Sequence, residues 1–263
     1  CSALGVCGNA AIHDNLRSFV DSYIWRFCTG LRACLVTRKT DMTWLGFAGV
    51  FLLFFATHSI PVRPGVKSAI TARIGPRGFG IGYSALSFCV LSLLIWSAGE
   101  APYVQLWPQM TWHRHVVHIG MLAVCLILAF SIARPNPFSF GGMNNAAFDT
   151  KRPGIIRIMR HPILLALALW AGLHLLPNGD LAHILLFGVL GSFAISGRAF
   201  INRRKQREMG QSNWMVLDWS VAAAPIFHAH QSWRATTLRL AAGIASFLGL
   251  LALHQVVIGV SAI

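Results

Sequence analysis

Histidine is the side chain in this sequence that is best suited to chemistry. The chain has 11 histidines but only 8 aspartates and glutamates, which leaves few carboxylates for acid–base catalysis. It also lacks a Gly-x-Ser-x-Gly nucleophile motif, a phosphate-binding glycine loop and a Cys-x-x-Cys pair. No residue is therefore assigned as catalytic, and the chemistry open to the chain is that of imidazole as a metal ligand.

Two histidines stand at the ends of apolar segments. His58 ends one such run and His161 begins another. If both runs cross a membrane, the two imidazoles reach one side at one depth, where they could hold haem iron axially. Arg63, Arg157 and Arg160 lie at the same edge, and their planar guanidinium groups suit haem propionates. The alternative is that each histidine only caps a helix or reaches toward the interface.

The remaining histidines give a weaker metal-site hypothesis on the opposite side. His115 and His118 are three residues apart and could share a helix face, next to His113. The nearest carboxylate, Glu100, stands at loop distance. His174, with Asn178 close behind it, is a second-tier candidate that we expect to be structural.

The elements that would position these side chains are apolar segments. Hydrophobic residues make up 55% of the chain and charged residues only 11%, against about a quarter charged in soluble domains. The net charge of +14 would suit nucleic acid, but the cations form short clusters between apolar runs instead of one soluble face. We therefore expect a protein that contacts membrane lipid and binds no nucleic acid.

Six segments approach the roughly 20 apolar residues that a membrane-spanning helix needs. They predict an all-α, polytopic membrane helix bundle with about six transmembrane helices. The fourth segment is short and could lengthen backward through residues 155–159 with a kink at Pro162. Buried helices of a soluble core are the alternative, although those are usually amphipathic. The segments are residues 43–59, 79–98, 116–133, 163–176, 181–201 and 238–260.

The cations alternate between successive connections. Residues 60–78, 134–162 and 202–237 are rich in arginine and lysine, whereas the connections between them are nearly free of both. Because cytoplasmic loops carry an excess of Lys and Arg, these three loops are predicted to be cytoplasmic.

Residues 1–41 break this alternation, because they place five cations on the predicted outer side. Two interpretations stay open. Met42 could be the native start, with an upstream read-through before it, or residues 16–31 could form an interfacial amphipathic helix. The predicted membrane domain is residues 42–263.

Several short motifs, in this order, resemble the NnrU family of integral membrane proteins. The resemblance extends over residues 42–263. The motifs are residues 57–61 (THSIP), 99–106 (GEAPYVQL), 134–142 (RPNPFSFGG), 157–162 (RIMRHP), 173–180 (LHLLPNGD) and the ending 254–261.

The resemblance implies a link to nitrite and nitric oxide metabolism in denitrification. It also implies kinship with 15-cis-zeta-carotene isomerase, which uses haem b to convert a cis double bond to trans. That family's ligands map onto His58 and His161. Ile163 departs from the isomerase pattern, which has a polar residue there. We thus expect haem b, a small apolar or gaseous ligand, an activity leaning toward isomerisation and a location in the bacterial inner membrane.

A second resemblance is to isoprenylcysteine-type membrane methyltransferases, which use S-adenosylmethionine. It rests on the Arg160-His161-Pro162 motif and on residues 204–210 (RKQREMG). There, Arg207 and Glu208 would be the counterparts of the cofactor-binding pair. The sequence lacks that family's second acidic residue, and this function is kept as the alternative.

Overall fold

The computed structural model describes residues 42–225 and 232–259, and these ranges are predominantly helical. Two short 3-10 helices, Asn145–Ala147 and Gly154–Arg157, precede α4. No strand occurs in the described ranges, which confirms the all-helical fold class. The two interpretations of residues 1–41 lie outside the described residues. The helices are α1 (Trp44–Ser59), α2 (Pro64–Glu100), α3 (Thr111–Ser131), α4 (Pro162–Leu175), α5 (Leu181–Met209), α6 (Gln211–Ala223) and α7 (Trp233–Ile258).

Four of these helices, α2, α3, α5 and α7, are long and apolar enough to cross a membrane. The helices α1 and α4 are equally apolar but have only 16 and 14 residues. At 1.5 Å per residue, α4 covers about 21 Å of a hydrocarbon core that is about 30 Å thick. The predicted count of six full spans is therefore corrected to four, with two shorter apolar helices beside them.

The apolar helices turn large side chains outward. Phe88, Ile119 and Val256 are 73%, 74% and 79% exposed. Water around so many apolar groups would be unfavourable, whereas lipid tails match them. Together with the four long apolar helices, this identifies an integral membrane protein that contacts lipid.

The membrane helices pack in a row of neighbours. Helix α1 packs on α2, α2 on α5, α5 on α4, α4 on α3, and α3 on α7. Val124 of α3 is buried with Ala166 and Leu173 of α4 in a core between those two helices. A β-carbon at Gly243 of α7 would lie 3.3 Å from Cα of Leu126, so the glycine permits close contact of α3 and α7.

The helix ends follow from local chemistry. Pro64 begins α2 and Pro162 begins α4, because proline at the first helical position lacks only an N–H that would have no helical partner. The carboxylate of Asp180 accepts a hydrogen bond from the backbone N–H of His183 and caps α5. Gly210 separates α5 from α6 with φ of 82°, a conformation that favours glycine.

Three predicted boundaries were wrong. Most of the predicted loop 60–78 is helix, because α2 begins at Pro64 and passes through a non-helical residue, Gly75. Much of the loop 202–237 is also helix, formed by the end of α5, by α6 and by the start of α7. Hydropathy detects only the apolar part of a helix, and the helical turns within residues 60–78 and 202–237 carry many charged residues. The hydropathy of the sequence therefore did not reveal them as helix. Finally, α4 does not extend backward, since Pro162 is its first residue.

Candidate functional site

His58 lies in an aromatic cluster formed by α1, α2 and α5. Its ring stacks on Phe54 at 4.0 Å between centroids and meets Tyr83 and Phe193 edge-on at 6.1 and 6.5 Å. The Nδ1–H donates to the carbonyl oxygen of Phe54 at 2.9 Å. This bond fixes the tautomer and leaves Nε2 as the nitrogen with a lone pair, which is how metal-binding histidines are usually oriented.

His161 lies in a different, polar environment just before α4, and its side chain is only 4% exposed. Its Nε2–H donates to Oδ1 of Asn202 at 2.8 Å, and its Nδ1 accepts from the hydroxyl of Ser139 at 3.0 Å. Both ring nitrogens therefore have protein partners. Burial lowers the pKa of His161, partly opposed by the Asn202 bond, and nearby Arg198 and Arg160 lower it further. Burial and the two arginines therefore favour the neutral form of the ring.

The two imidazoles contact α5 at different places. His58 meets it at Phe193 and His161 meets it at Asn202. Nine helical residues correspond to about 13 Å along the axis and to about half a turn around it. No hydrogen bond or ring contact among the described residues joins the two imidazoles, so the shared ligation of one iron stays a prediction. The contacts on α5 lie on opposite faces of that helix.

The three candidate propionate partners also separate. Arg63 is exposed at the start of α2, on the His58 side. The Nε–H of Arg157 donates to the carbonyl oxygen of Ala224 at 2.9 Å. Arg160 forms an ion pair with Asp218 of α6. Arg157 and Arg160 thus tie the loop to α6.

The sequence motifs around His161 come together in space. Nδ2–H of Asn136 donates to the carbonyl oxygen of Arg160 at 3.0 Å, which joins residues 134–142 to the Arg-His-Pro turn. Phe138 is fully buried with Ile156 and Trp214. Ser139 of the same motif bonds the His161 ring, so the polar residues of the motif act as hydrogen-bonding partners of the Arg-His-Pro turn.

Two further motifs meet at the other end of the bundle. The backbone N–H groups of Leu106 and Trp107 both donate to the carbonyl oxygen of Gly179, at 2.7 and 3.1 Å. Asn178 donates from Nδ2 to the carbonyl oxygen of His174, whose ring packs on Trp170. These bonds join residues 99–106 to residues 173–180, and a structural role for His174 and Asn178 stays a prediction. The described residues contain no group of three or more His, Cys, Asp or Glu that could hold a metal ion.

The residues of the methyltransferase hypothesis are engaged elsewhere. The carboxylate of Glu208 accepts from Nε of Arg204 at 2.7 Å and from Nζ of Lys205 at 2.9 Å. The Nε–H of Arg207 donates back to the carbonyl oxygen of Arg203. A carboxylate already neutralised by two cations is poorly placed to recognise a cationic cofactor.

Sequence reasoning missed Asn202, Ser139 and Asp218. They are 41, 22 and 58 residues from the residues they contact, and only their polarity within or beside apolar segments could have signalled them.

No curated protein and no solved structure matches this chain significantly. The family model described as "NnrU protein" matches residues 46–262, which include all seven described helices except the first two residues of α1. This match confirms the resemblance seen in the motifs. The chain belongs to the NnrU protein family.

Proposed function

We propose that this chain is a membrane haem b protein in which His58 would hold the iron. The observation that carries the proposal is the orientation of the His58 ring, whose Nδ1–H is bound to the Phe54 carbonyl while Nε2 is left for a ligand. When bound, haem b would supply an iron able to bind nitric oxide or to act on a double bond.

The residues around His58 suit such a group. Phe54, Tyr83 and Phe193 pack against the imidazole with aromatic faces and edges, and Phe55 packs on Phe54 and Phe193 behind them. Such surroundings would exclude water and hold a flat apolar molecule. Tyr83 donates its hydroxyl to the carbonyl oxygen of His58 at 3.3 Å and links the end of α1 to α2. These residues would orient the ligand and set the polarity around it.

His161 does not fit the role of second ligand in the arrangement described here. A ligating nitrogen needs a free lone pair, and both of its ring nitrogens are hydrogen-bonded. Ligation would require His161 to release Asn202 or Ser139. We therefore assign the haem to His58 alone, and treat His161 as a hydrogen-bonding residue of the loop.

We place loops 60–78, 134–162 and 202–237 on the cytoplasmic side of a bacterial inner membrane. Two contacts support a common end for the latter two loops. Arg239 near the start of α7 donates to the carbonyl oxygens of Ala129 and Ile132 at the end of α3, and His161 bonds Asn202 near the end of α5. The cation-rich loops at that end favour the cytoplasm.

The reaction that we favour is cis–trans isomerisation of an apolar polyene drawn from the bilayer. The aromatic surroundings of His58 and the lipid-exposed helices support an apolar ligand. The second candidate function is a role in nitrite or nitric oxide metabolism, in which the protein would not convert a polyene. Membership of the NnrU family suggests it.

An optical spectrum of the purified protein tests the haem. The full chain, produced in haem-replete cells, should show a Soret band that His58→Ala abolishes. His161→Ala should keep the band, and His115→Ala, which removes an exposed imidazole, is the matched control. A colourless wild-type preparation would contradict haem binding. Equal loss in His58→Ala and His161→Ala would instead indicate two histidine ligands and refute the single-ligand assignment.

Activity is then tested in a pigment-producing host that accumulates a central cis-polyene. Conversion to the trans form by the wild type, and its loss in His58→Ala, supports the isomerase. Absence of conversion by a haem-loaded protein that binds nitric oxide contradicts the isomerase and supports the nitrogen-oxide role.

A further inference from the structure

The cations at the end of α5 divide into two pairs. Arg204 and Lys205 share the carboxylate of Glu208 through contacts of 2.7 and 2.9 Å. Arg203 and Arg207 form no ion pair among the described residues, although both are exposed. Two like charges four residues apart on a helix repel each other. The pair therefore favours an anion that comes from outside the described chain.

These two arginines border an open hollow between α5 and α6 that is lined by arginine, glutamine and glycine. Its volume is about 640 Å³. Arg207 uses its Nε–H on the carbonyl oxygen of Arg203, which leaves its two terminal amino groups as donors. The first turn of α6 has no side-chain cap, so backbone N–H donors adjoin the hollow. The lining residues are Arg203, Gln206, Arg207, Gly210 and Gln211.

The surroundings of the hollow correspond to the edge of a lipid bilayer. Phe200 of α5 is 62% exposed, and Arg207 lies seven residues further on, which is nearly the same helix face about 10 Å along the axis. Helix α6 carries Trp219, 77% exposed, and Val216, 67% exposed, and exposed tryptophan is typical of the membrane interface. An apolar surface thus leads directly to the two arginines.

We propose that this hollow binds the phosphate of an anionic membrane phospholipid. The guanidinium groups of Arg203 and Arg207 hold the phosphate oxygens, for which their paired N–H groups are suited. The acyl chains lie along the apolar face that ends at Phe200. The lipid anchors the junction of α5 and α6 at the headgroup level, and it removes the repulsion between the two arginines.

Native mass spectrometry of the full chain in detergent tests the proposal. The delipidated protein is titrated with phosphatidylglycerol, with phosphatidylcholine and with inorganic phosphate. The wild type should retain one phosphatidylglycerol more tightly than phosphatidylcholine. The double variant R203Q/R207Q should weaken that adduct about 25-fold, because each cation near an anionic lipid surface contributes a factor of about five.

The matched control is R204Q/K205Q, which removes the same charge from two positions between Arg203 and Arg207. It should bind phosphatidylglycerol like the wild type, because its side chains belong to Glu208. The variant R203K/R207K, which keeps the charge and loses the paired donors, should bind with intermediate strength. A thermal melt of each variant establishes that it is folded.

Three results would overturn the proposal. One is equal loss of phosphatidylglycerol in both double variants, which would indicate a general charge effect. Another is equal retention of phosphatidylcholine by the wild type. The third is saturable binding of inorganic phosphate without binding of phosphatidylglycerol, which would make the ligand a soluble phosphate and not a lipid.

Discussion

Replacing Asn202 by alanine removes the partner of the buried His161 imidazole. The 2.8 Å bond from Nε2–H to Oδ1 of Asn202 is lost, and the ring is only 4% exposed, so water can replace the acceptor only poorly. A buried donor left without a partner costs about 1–3 kcal/mol. We expect Asn202→Ala to lower the free energy of unfolding by that amount.

Two comparison variants make this experiment specific. Asn202→Asp keeps an acceptor oxygen and should retain most of the stability, with a rise in the pKa of His161 because a carboxylate favours imidazolium. Asn213→Ala removes an exposed amide that bonds only the Met209 carbonyl one turn before it, and should change stability by less than about 0.5 kcal/mol.

Unfolding by increasing mole fraction of SDS in mixed micelles, followed by tryptophan fluorescence, measures all three variants. Equal stabilities of Asn202→Ala and Asn213→Ala would refute the assignment of Asn202 as the acceptor for His161. A gain of a low-spin haem spectrum in Asn202→Ala would instead contradict the assignment of the haem to His58 alone, since it would mean that the released nitrogen of His161 binds iron.

Three further predictions concern packing and pH. Gly179→Ala should lower the free energy of unfolding by about 1–3 kcal/mol, because its β-carbon would collide with the carbonyl group of Trp107. Gly172→Ala has open space around the new β-carbon and is the control. Equal free energies of unfolding of the two variants in SDS would contradict this prediction. Gly243→Ile should weaken the packing of α7 on α3, because a side chain there would collide with Leu126, whereas Gly249→Ile has open space. The rate of protease cleavage before α7 measures this packing. Equal cleavage rates of the two variants would contradict the prediction. Because burial lowers the pKa of His161, the unfolded state binds the proton first as the pH falls, and the free energy of unfolding should decrease once the pH is below the ordinary histidine pKa. His161→Gln should reduce this decrease. An unchanged dependence of the free energy of unfolding on pH in His161→Gln would contradict the prediction.

The apolar segments could be predicted from the sequence because a helix that lies in lipid needs about 20 successive, mostly apolar residues. The segment that ends at Ser59 and the one that begins at Leu181 agree with α1 and α5 within a residue at those ends. The start of α2 could not be found in this way. Its first turns carry Lys67, Arg73 and Arg77, which form helix readily outside the hydrocarbon but carry no hydropathy signal.

The sequence predicted where the two histidines lie along the helices, but not which residues they contact. Position in a helix indicates which end of the bundle a histidine reaches, and it placed His58 and His161 at helix ends. The face that each ring turns toward depends on packing between distant segments. The partner of His161 on α5, Asn202, is 41 residues away, and that contact decides what its nitrogens can do.

The position of α7 at the end of the helix row has a consequence for biosynthesis. Helix α7 packs on α3 and is the last of the described helices to leave the ribosome. All the other neighbouring helices in the row precede Trp233 in the sequence, including those next to His58 and His161. They can therefore pack on one another before α7 is synthesised. The final helix can therefore dock onto a preassembled core, where Arg239 donates hydrogen bonds to the carbonyl oxygens of Ala129 and Ile132 at the end of α3.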